Sequence, residues 1–385
     1  MRAGIDVISR PFNAGQTPIF GYIFVSLAKA ASVSMSESGV SRLSMMERAG
    51  SDRLRRVTAG LILVFTYLVY NATLSPTLSF WDCGEFISCS YILGIPHPPG
   101  TPLFILLGRL FSIIPFQADI SARVNMLSAV CGAVSAMFAF LVTFRLIRFW
   151  WREGEFAGWR LASTYIGALV GTMMFAFGNT HWNNCVETEV YTPAMLMLMI
   201  IIWLVLRWVD RRQDVRSDAY LILAVFIAFL SAGVHMTTFL FLPALFLLVI
   251  LVSERHRRDF RFYITGLCLF SLAYKLDLFL LATTLWLVAL IIGAIVTRRY
   301  LWKSSLALVL AAIIGFSCQL YTPIRAGQKP SINQNDPVTY KVFKAFFERK
   351  QYGDQEMVVR ALTRRAEWSN QFGLFKRIGF WGFFS

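Results

Sequence analysis

Charge is scarce in this chain. Of its 385 residues only 15% are charged, while 56% are hydrophobic, and a domain surrounded by water needs far more polar surface than that. Membrane insertion is the one reading that fits. Cysteine is sparse too: there are six, scattered and without a CxxC pair, so a zinc site lacks its usual ligand spacing. Cys131, Cys268 and Cys318 fall inside apolar runs and read as core residues. Cys83, Cys89 and Cys185 fall between runs, where a disulfide is open but cannot be assigned. No P-loop, GxGxxG or HExxH pattern occurs, so nucleotide hydrolysis and zinc proteolysis have no support.

Acidic residues number 22 against 37 basic ones, a net charge of +15. The excess is not one patch, as a nucleic-acid surface would require. It punctuates the apolar runs, at Arg53, Arg55 and Arg56; at Arg145, Arg148, Arg152 and Arg160; at Arg207, Arg211, Arg212 and Arg216; at Arg255, Arg257, Arg258 and Arg261; and at Arg298, Arg299 and Lys303. Such clusters hold loops in the cytoplasm during insertion. No nucleic-acid partner is expected.

What is present is a series of apolar runs of about 17–25 residues, long enough for a hydrocarbon core of ~30 Å. They cover 57–75, 122–147, 161–179, 191–209, 218–235, 237–253, 262–278, 279–297 and 304–322. A further apolar helix over 102–116 contains Arg109 and is too short, at roughly 22 Å, to cross. If it did cross, every later basic loop would invert. The expectation is therefore an all-α polytopic membrane protein of about nine spans, with an in-plane helix in the first outer loop. Loops 76–121, 179–190 and 235–237 then face outward. Three regions follow: 1–52, a poorly ordered N-terminal segment; 53–324, the transmembrane domain; and 325–385, an outer-face segment that reads as truncated. Pro18–Leu27 resembles a poor signal peptide, and Met45 or Met46 reads equally well as the start.

The unusual polar residues gather on the outer face. Asp82 and Glu85, three apart, point the same way on a helical turn and are flanked by Trp81 and Phe86 at the headgroup boundary. Carboxylates paired near low dielectric suit general-base work; the plainer reading is a capping box. His97, among four prolines, is suited to bind a phosphate or a hydroxyl, or is simply a rigid corner. Glu189 precedes the span that starts near Tyr191, and is either a cavity carboxylate or an ordinary helix-start acid. His235 lies at a turn between spans, where a helix-end role is equally open. Arg325 closes the last span and is suited to clamp a phosphate bidentately or to snorkel.

Taken together, Trp81-Asp82-Cys83-Gly84-Glu85-Phe86, His97-Pro98-Pro99-Gly100, Gly108-Arg109-Leu110-Phe111 and Arg123-Val124-Asn125 resemble GT-C glycosyltransferase family 117. So do Glu189-Val190-Tyr191, Gly233-Val234-His235, Tyr321-Thr322-Pro323-Ile324-Arg325 and Arg349-Lys350-Gln351-Tyr352-Gly353-Asp354. This multi-spanning family includes an animal protein O-mannosyltransferase. The resemblance implies a GT-C-like bundle and an inverting sugar transfer from a polyprenyl-phosphate donor to a protein hydroxyl or glycan of an exported acceptor. It implies Asp82 as base, with Glu85 sharing or orienting. Trp81, His97, Arg109, Glu189, Tyr191, His235 and Arg325 are then expected to bind substrate. No metal or cofactor is expected beyond the lipid-linked co-substrate, and membrane lipids surround the chain. The site would lie on the non-cytoplasmic face of a bacterial inner membrane or of the endoplasmic reticulum. A transporter or lipid-translocating protein is the rival reading. Such proteins place ionisable groups near the bilayer midplane, and the runs here are almost empty of them.

Overall fold

The computed structural model describes residues 42–151 and 158–353. They form an all-helical bundle, and the only strand-like pairing among them is a single bridge between Ile95 and Asn333. The chain is an all-α, multi-spanning membrane protein. Helix α1 (Arg42–Ala72) begins inside the segment expected to be poorly ordered; α2 (Cys83–Ile92) and α3 (Pro102–Ile113) are short. Next come α4 (Ile120–Trp150), α5 (Gly158–Ala176), α6 (Asn179–Val186), α7 (Tyr191–Asp210) and α8 (Asp218–Leu230). After these lie α9 (Leu242–Val252), α10 (Phe260–Phe270), α11 (Leu276–Thr297), α12 (Tyr300–Phe316), α13 (Tyr321–Ala326) and α14 (Tyr340–Phe347).

Side-chain contacts define two ends. At one, Asn125 of α4 meets Thr188 ahead of α7, Tyr191 meets His235, and Tyr321 donates to the Gly94 carbonyl. At the other, Arg145 of α4 pairs with Asp210 of α7, Arg255 pairs with Asp218, and the Tyr300 hydroxyl donates to the Val215 carbonyl. We call these the Asp82 end and the Asp218 end. The short helices α2 and α3 stay at the Asp82 end: α3 starts beside Gly100, which lies against Phe346, and finishes where Arg123 donates to the Ser112 carbonyl.

Among the described residues, five helical segments are long and apolar enough to cross a membrane: 120–150, 191–210, 215–233, 276–297 and 300–326. A sixth arises if α5 and α6, bent by 59° at Gly178, count as one. The expected nine is thus reduced, and the reason is local. Residues 236–252 and 260–273 are apolar but fall short of spanning length even with their 3-10 turns included, and the apolar part of α1 is brief. At 12 residues, α3 reaches only ~18 Å, too little to cross.

Helix α11 shows why water is the wrong solvent. It buries Leu276, Phe279, Thr283, Leu290 and Gly293 but exposes Leu281, Leu285, Ile292, Ile295 and Val296. An apolar face of that extent is stable only against lipid or protein. Inside the bundle, α8 and α12 approach so closely that a Cβ on Gly315 would lie 2.4 Å from the Phe226 carbonyl oxygen. Small residues permit such backbone contact where lipid provides no hydrophobic drive between helices.

Candidate active site

The Asp82 end is built around α2. Asp82 occupies the helix N-cap position, yet its side chain makes no capping hydrogen bond, and Glu85 turns away to another partner. The capping-box alternative is therefore not what these carboxylates do. Glu85 instead takes hold of His97. One carboxylate oxygen accepts from the His97 backbone amide at 2.9 Å, and the other sits 2.6 Å from His97 Nδ1. With Nδ1 engaged, Nε2 faces the Asp82 carboxylate at 3.9 Å. The ring also packs on Phe86, centroids 5.5 Å apart. Hydrogen bonding to Glu85 raises the His97 pKa above its ordinary value, against the opposing effect of burial, with the charges of Glu85 and Asp82 adding to the rise. The result is an imidazole set between two carboxylates, which favour its charged form.

A second strand of acidic chemistry enters from the loop before α7. Asn125, fully buried in α4, donates to the carbonyls of Ser75 (2.9 Å) and Thr77 (3.1 Å) and accepts from the Thr188 hydroxyl. Next to it, the Glu189 amide donates to the Ser128 hydroxyl at 3.2 Å. These bonds bring Glu187 and Glu189 up to Cys83, the first residue of α2, with potential ligand atoms all within 4.8 Å of one another. Burial, then repulsion from Asp82 and Glu187, pushes the Glu189 carboxyl up to about 7. Burial and the same glutamates push the Cys83 thiol up to about 12, so it stays protonated. Cys83, Cys89 and Cys185 are all buried free thiols.

The loop carrying His97 is clasped from the far end of the sequence. Ile95 exchanges backbone hydrogen bonds with the 332–334 segment, donating to Ile332 (2.9 Å) and accepting from Gln334 (3.1 Å). Gly100, at φ +86°, lies so close to Phe346 that a Cβ there would meet the ring at 2.7 Å. Phe346 belongs to α14, which is tied to α11 through Tyr340 and Lys344 on Asp277, and through Glu348 accepting from the Leu276 amide at 3.1 Å. One turn on, Arg349 stacks on Tyr352 at 5.0 Å and exerts its charge on both His97 and His235. Its Nε is buried without a hydrogen-bond partner among the described residues.

The remaining expected site residues divide. Tyr191 and His235 meet ring to ring at 5.2 Å. The His235 Nδ1 accepts from the Thr237 amide at 3.2 Å, so it does cap a helix end while leaving Nε2 as the donor. Burial, then Arg349, lowers the His235 pKa, which keeps it neutral. Trp81 is 94% exposed, a placement suited to an interface rather than to a cavity wall. Arg109 and Arg325 are both engaged elsewhere. Arg109 donates to the Tyr91 carbonyl and lies over the Tyr91 ring. Arg325 donates to the carbonyls of Leu93 (2.7 Å) and Ile92 (3.1 Å) and to the Gln328 side chain (2.6 Å). Together the two guanidiniums satisfy the orphan carbonyls at the negative end of α2.

Chemically, the cluster offers a base in Asp82 or Glu189, an imidazole beside them whose charged form is favoured, and a guanidinium, Arg349, with an unused donor among the described residues. Asp82, Glu85 and His97 also have ligand atoms within 4.8 Å of one another, as a divalent cation would need, although Glu85 already occupies Nδ1.

Residues 82–258 match the family model for the protein O-mannosyl-transferase TMEM260 N-terminal domain. The protein O-mannosyl-transferase TMEM260 of Mus musculus is 30% identical over 152 residues, which is 39% of this chain and 19% of that protein. The counterpart from Dictyostelium discoideum is 25% identical over 162 residues, 42% of this chain and 18% of its own length. The match thus spans about a fifth of these curated relatives. No solved structure matches the chain. The matched stretch starts on Asp82 and contains Glu85, His97, Glu189, Tyr191 and His235, whereas Arg325 and Arg349 lie beyond it. Through residues 82–258 this chain is similar to the protein O-mannosyl-transferase TMEM260 N-terminal domain.

Proposed function

We propose that this chain is an integral membrane glycosyltransferase of the GT-C type. It would move a sugar, mannose by its relatives' names, from a polyprenyl-phosphate donor to the hydroxyl of a protein or glycan. The observation that carries the reading is the cluster of Asp82, Glu85, His97 and Glu189 at one end of the bundle, inside the stretch shared with proteins named as O-mannosyl-transferases. The acceptor oxygen attacks the sugar's anomeric carbon as the carbon–oxygen bond to phosphate breaks. The phosphate leaves with the electron pair, the acceptor proton passes to a carboxylate, and the configuration inverts.

In this reading Asp82 takes the proton. It is the most accessible of the clustered carboxylates, and His97, fixed by Glu85, holds its geometry and charge. Because Arg325 is engaged on α2, the donor phosphate is assigned to Arg349, whose buried Nε has no hydrogen-bond partner among the described residues. A lipid monophosphate has no diphosphate to neutralise, so no metal is assigned. The cluster would face the non-cytoplasmic side, opposite the basic loops, in the inner membrane of a bacterium or the endoplasmic reticulum of a eukaryote. Sugar transfer in membranes bearing the full chain, from polyprenyl-phosphate mannose to a Ser/Thr peptide, tests the reading. Full activity in both Asp82→Asn and Glu85→Gln would overturn it.

A further inference from the structure

Around Gly100, at the Asp82 end, three hydrogen-bond donors are buried without a partner among the described residues: the hydroxyls of Thr101 and Thr322 and Nε of Arg349. The two threonines are 3% and 1% exposed. Thr101 follows Gly100 in the chain, and a Cβ on Gly100 would lie 3.5 Å from the Thr322 hydroxyl oxygen and 2.7 Å from the Phe346 ring. Arg349 comes three residues after Phe346 and donates its amide to the Phe346 carbonyl at 3.1 Å. Its charge reaches His97, whose carbonyl accepts from the Gly100 amide at 2.9 Å.

A buried donor without an acceptor costs stability. Three of them in one neighbourhood point to an acceptor supplied from outside the chain. A guanidinium donates only, so the partner it lacks is an acceptor and, by charge, an anion.

The same spot is the start of α3, a helix of 12 residues. Thr101 stands at its N-cap position, yet its side chain makes no capping bond. The first backbone bond runs from the Ile105 amide to the Thr101 carbonyl at 3.1 Å. Pro102 has no N–H, and the Leu103 and Phe104 amides are left without an acceptor inside the helix. The positive end of the helix dipole adds to the attraction for an anion. Donors from three separate elements suit the several oxygens of a phosphate.

We propose that the donor's phosphate is seated at the start of α3, held by the hydroxyls of Thr101 and Thr322 together with the Arg349 guanidinium. The inference rests on the transferase reading for the identity of the ligand as a lipid-linked phosphate, and adds the two threonines that bind it. During transfer the bond from the anomeric carbon to the phosphate oxygen breaks, and the electron pair leaves with the phosphate. The diester thereby becomes a monoester with a second negative charge, which these donors stabilise.

Thermal unfolding of the full chain in neutral detergent, with added polyprenyl phosphate or polyprenol, tests the site without any sugar transfer. Polyprenyl phosphate is expected to raise Tm by about 3 °C or more at saturation, polyprenol far less, and inorganic phosphate should compete with the lipid. Thr101→Val and Thr322→Val should each raise the midpoint concentration about ten-fold. Without ligand, both variants should melt at or above the wild-type temperature, because valine keeps the shape and removes an unmatched hydroxyl. A lower Tm in both ligand-free variants would assign the hydroxyls to the fold and overturn the site. Unchanged midpoints in both, equal stabilisation by polyprenol, or no competition by inorganic phosphate would overturn it too. Sugar transfer at wild-type KM in both variants would remove the site and leave the transferase reading standing. Threonine-dependent phosphate binding by a chain that transfers no sugar would do the reverse.

Discussion

Glu85 grips His97 twice, once through the backbone amide and once through the ring, so that the imidazole is oriented before any substrate arrives. Helix α2 supplies the carboxylate and a loop twelve residues on supplies the ring. Asp82, one turn before Glu85, completes a line of acid, imidazole and acid.

Removing Glu85 should therefore be read out at His97. The chain has four histidines, few enough for ring-labelled NMR to follow each. In Glu85→Gln the His97 pKa should fall back toward its ordinary value. The sign for stability follows: the stabilisation from charged His97 is fully present below the ordinary histidine pKa and is lost as pH rises through the raised folded value. Glu85→Gln should flatten that loss. An unmoved His97 titration would remove Glu85 as its partner.

Glu189 should behave in the same sense. Its folded carboxyl titrates near 7 against an ordinary value of 4.5, so the native state holds a proton that the unfolded chain releases. Stability then declines as pH rises from about 4.5 to 7, and Glu189→Gln should abolish that decline. Infrared spectra should show a protonated carboxyl band at pH 6 that disappears in the variant. If Glu189 rather than Asp82 takes the acceptor proton, transfer will fall steeply below pH 7 and Glu189→Gln will cost about 10²-fold or more.

Arg325 and Arg349 should separate by phenotype. Arg325→Gln leaves the Leu93 and Ile92 carbonyls without a charged donor, a loss of roughly 1.5–3 kcal/mol, seen as a lower Tm. Arg349→Gln should instead raise KM for the lipid donor with little change in Tm. A Tm loss in Arg349→Gln as large as that in Arg325→Gln would make Arg349 a structural residue.

Gly100→Ala should be costly. A side chain is disfavoured at φ +86°, and its Cβ would strike Phe346. A loss above about 1 kcal/mol is expected, accompanied by reduced transfer because α14 and Arg349 shift together. Chelation with EDTA should leave transfer unchanged, and restoration of lost activity by Mn²⁺ would show that Asp82, Glu85 and His97 hold an ion.

Much of this was legible from residue order. Spacing put Asp82 and Glu85 on one side of a turn, and charge placement kept the Arg109 helix from crossing; that helix does begin and end at one end of the bundle. The mutual contact of Tyr191 and His235 bears out their grouping at one end but tests no role for either. Other features depended on contacts that spacing does not encode. Arg325 had the position of a phosphate clamp, yet whether a guanidinium faces a cavity or a helix end is decided by which carbonyls lie within reach. Asn125 and Arg349 stood inside recognised motifs without an assigned role. The amphipathic run before Arg349, with Phe343, Phe346 and Phe347 on one face, was the signal that this basic residue docks rather than trails. The span count among the described residues fell short because the helical segments at 236–252 and 260–273 are short, and an apolar run does not reveal where its helix starts and stops.

The clasp on the His97 loop has a consequence for dissection. Tyr321, Ile332 and Phe346 all lie beyond position 258, where the family match ends. A gene fragment cut at that boundary would keep every acidic side chain of the cluster and still lose the part that holds the histidine in register. Chimeras with a relative should therefore exchange the stretch through Gly353 as a unit, because a junction at 258 would join two halves whose fit to one another was never selected together.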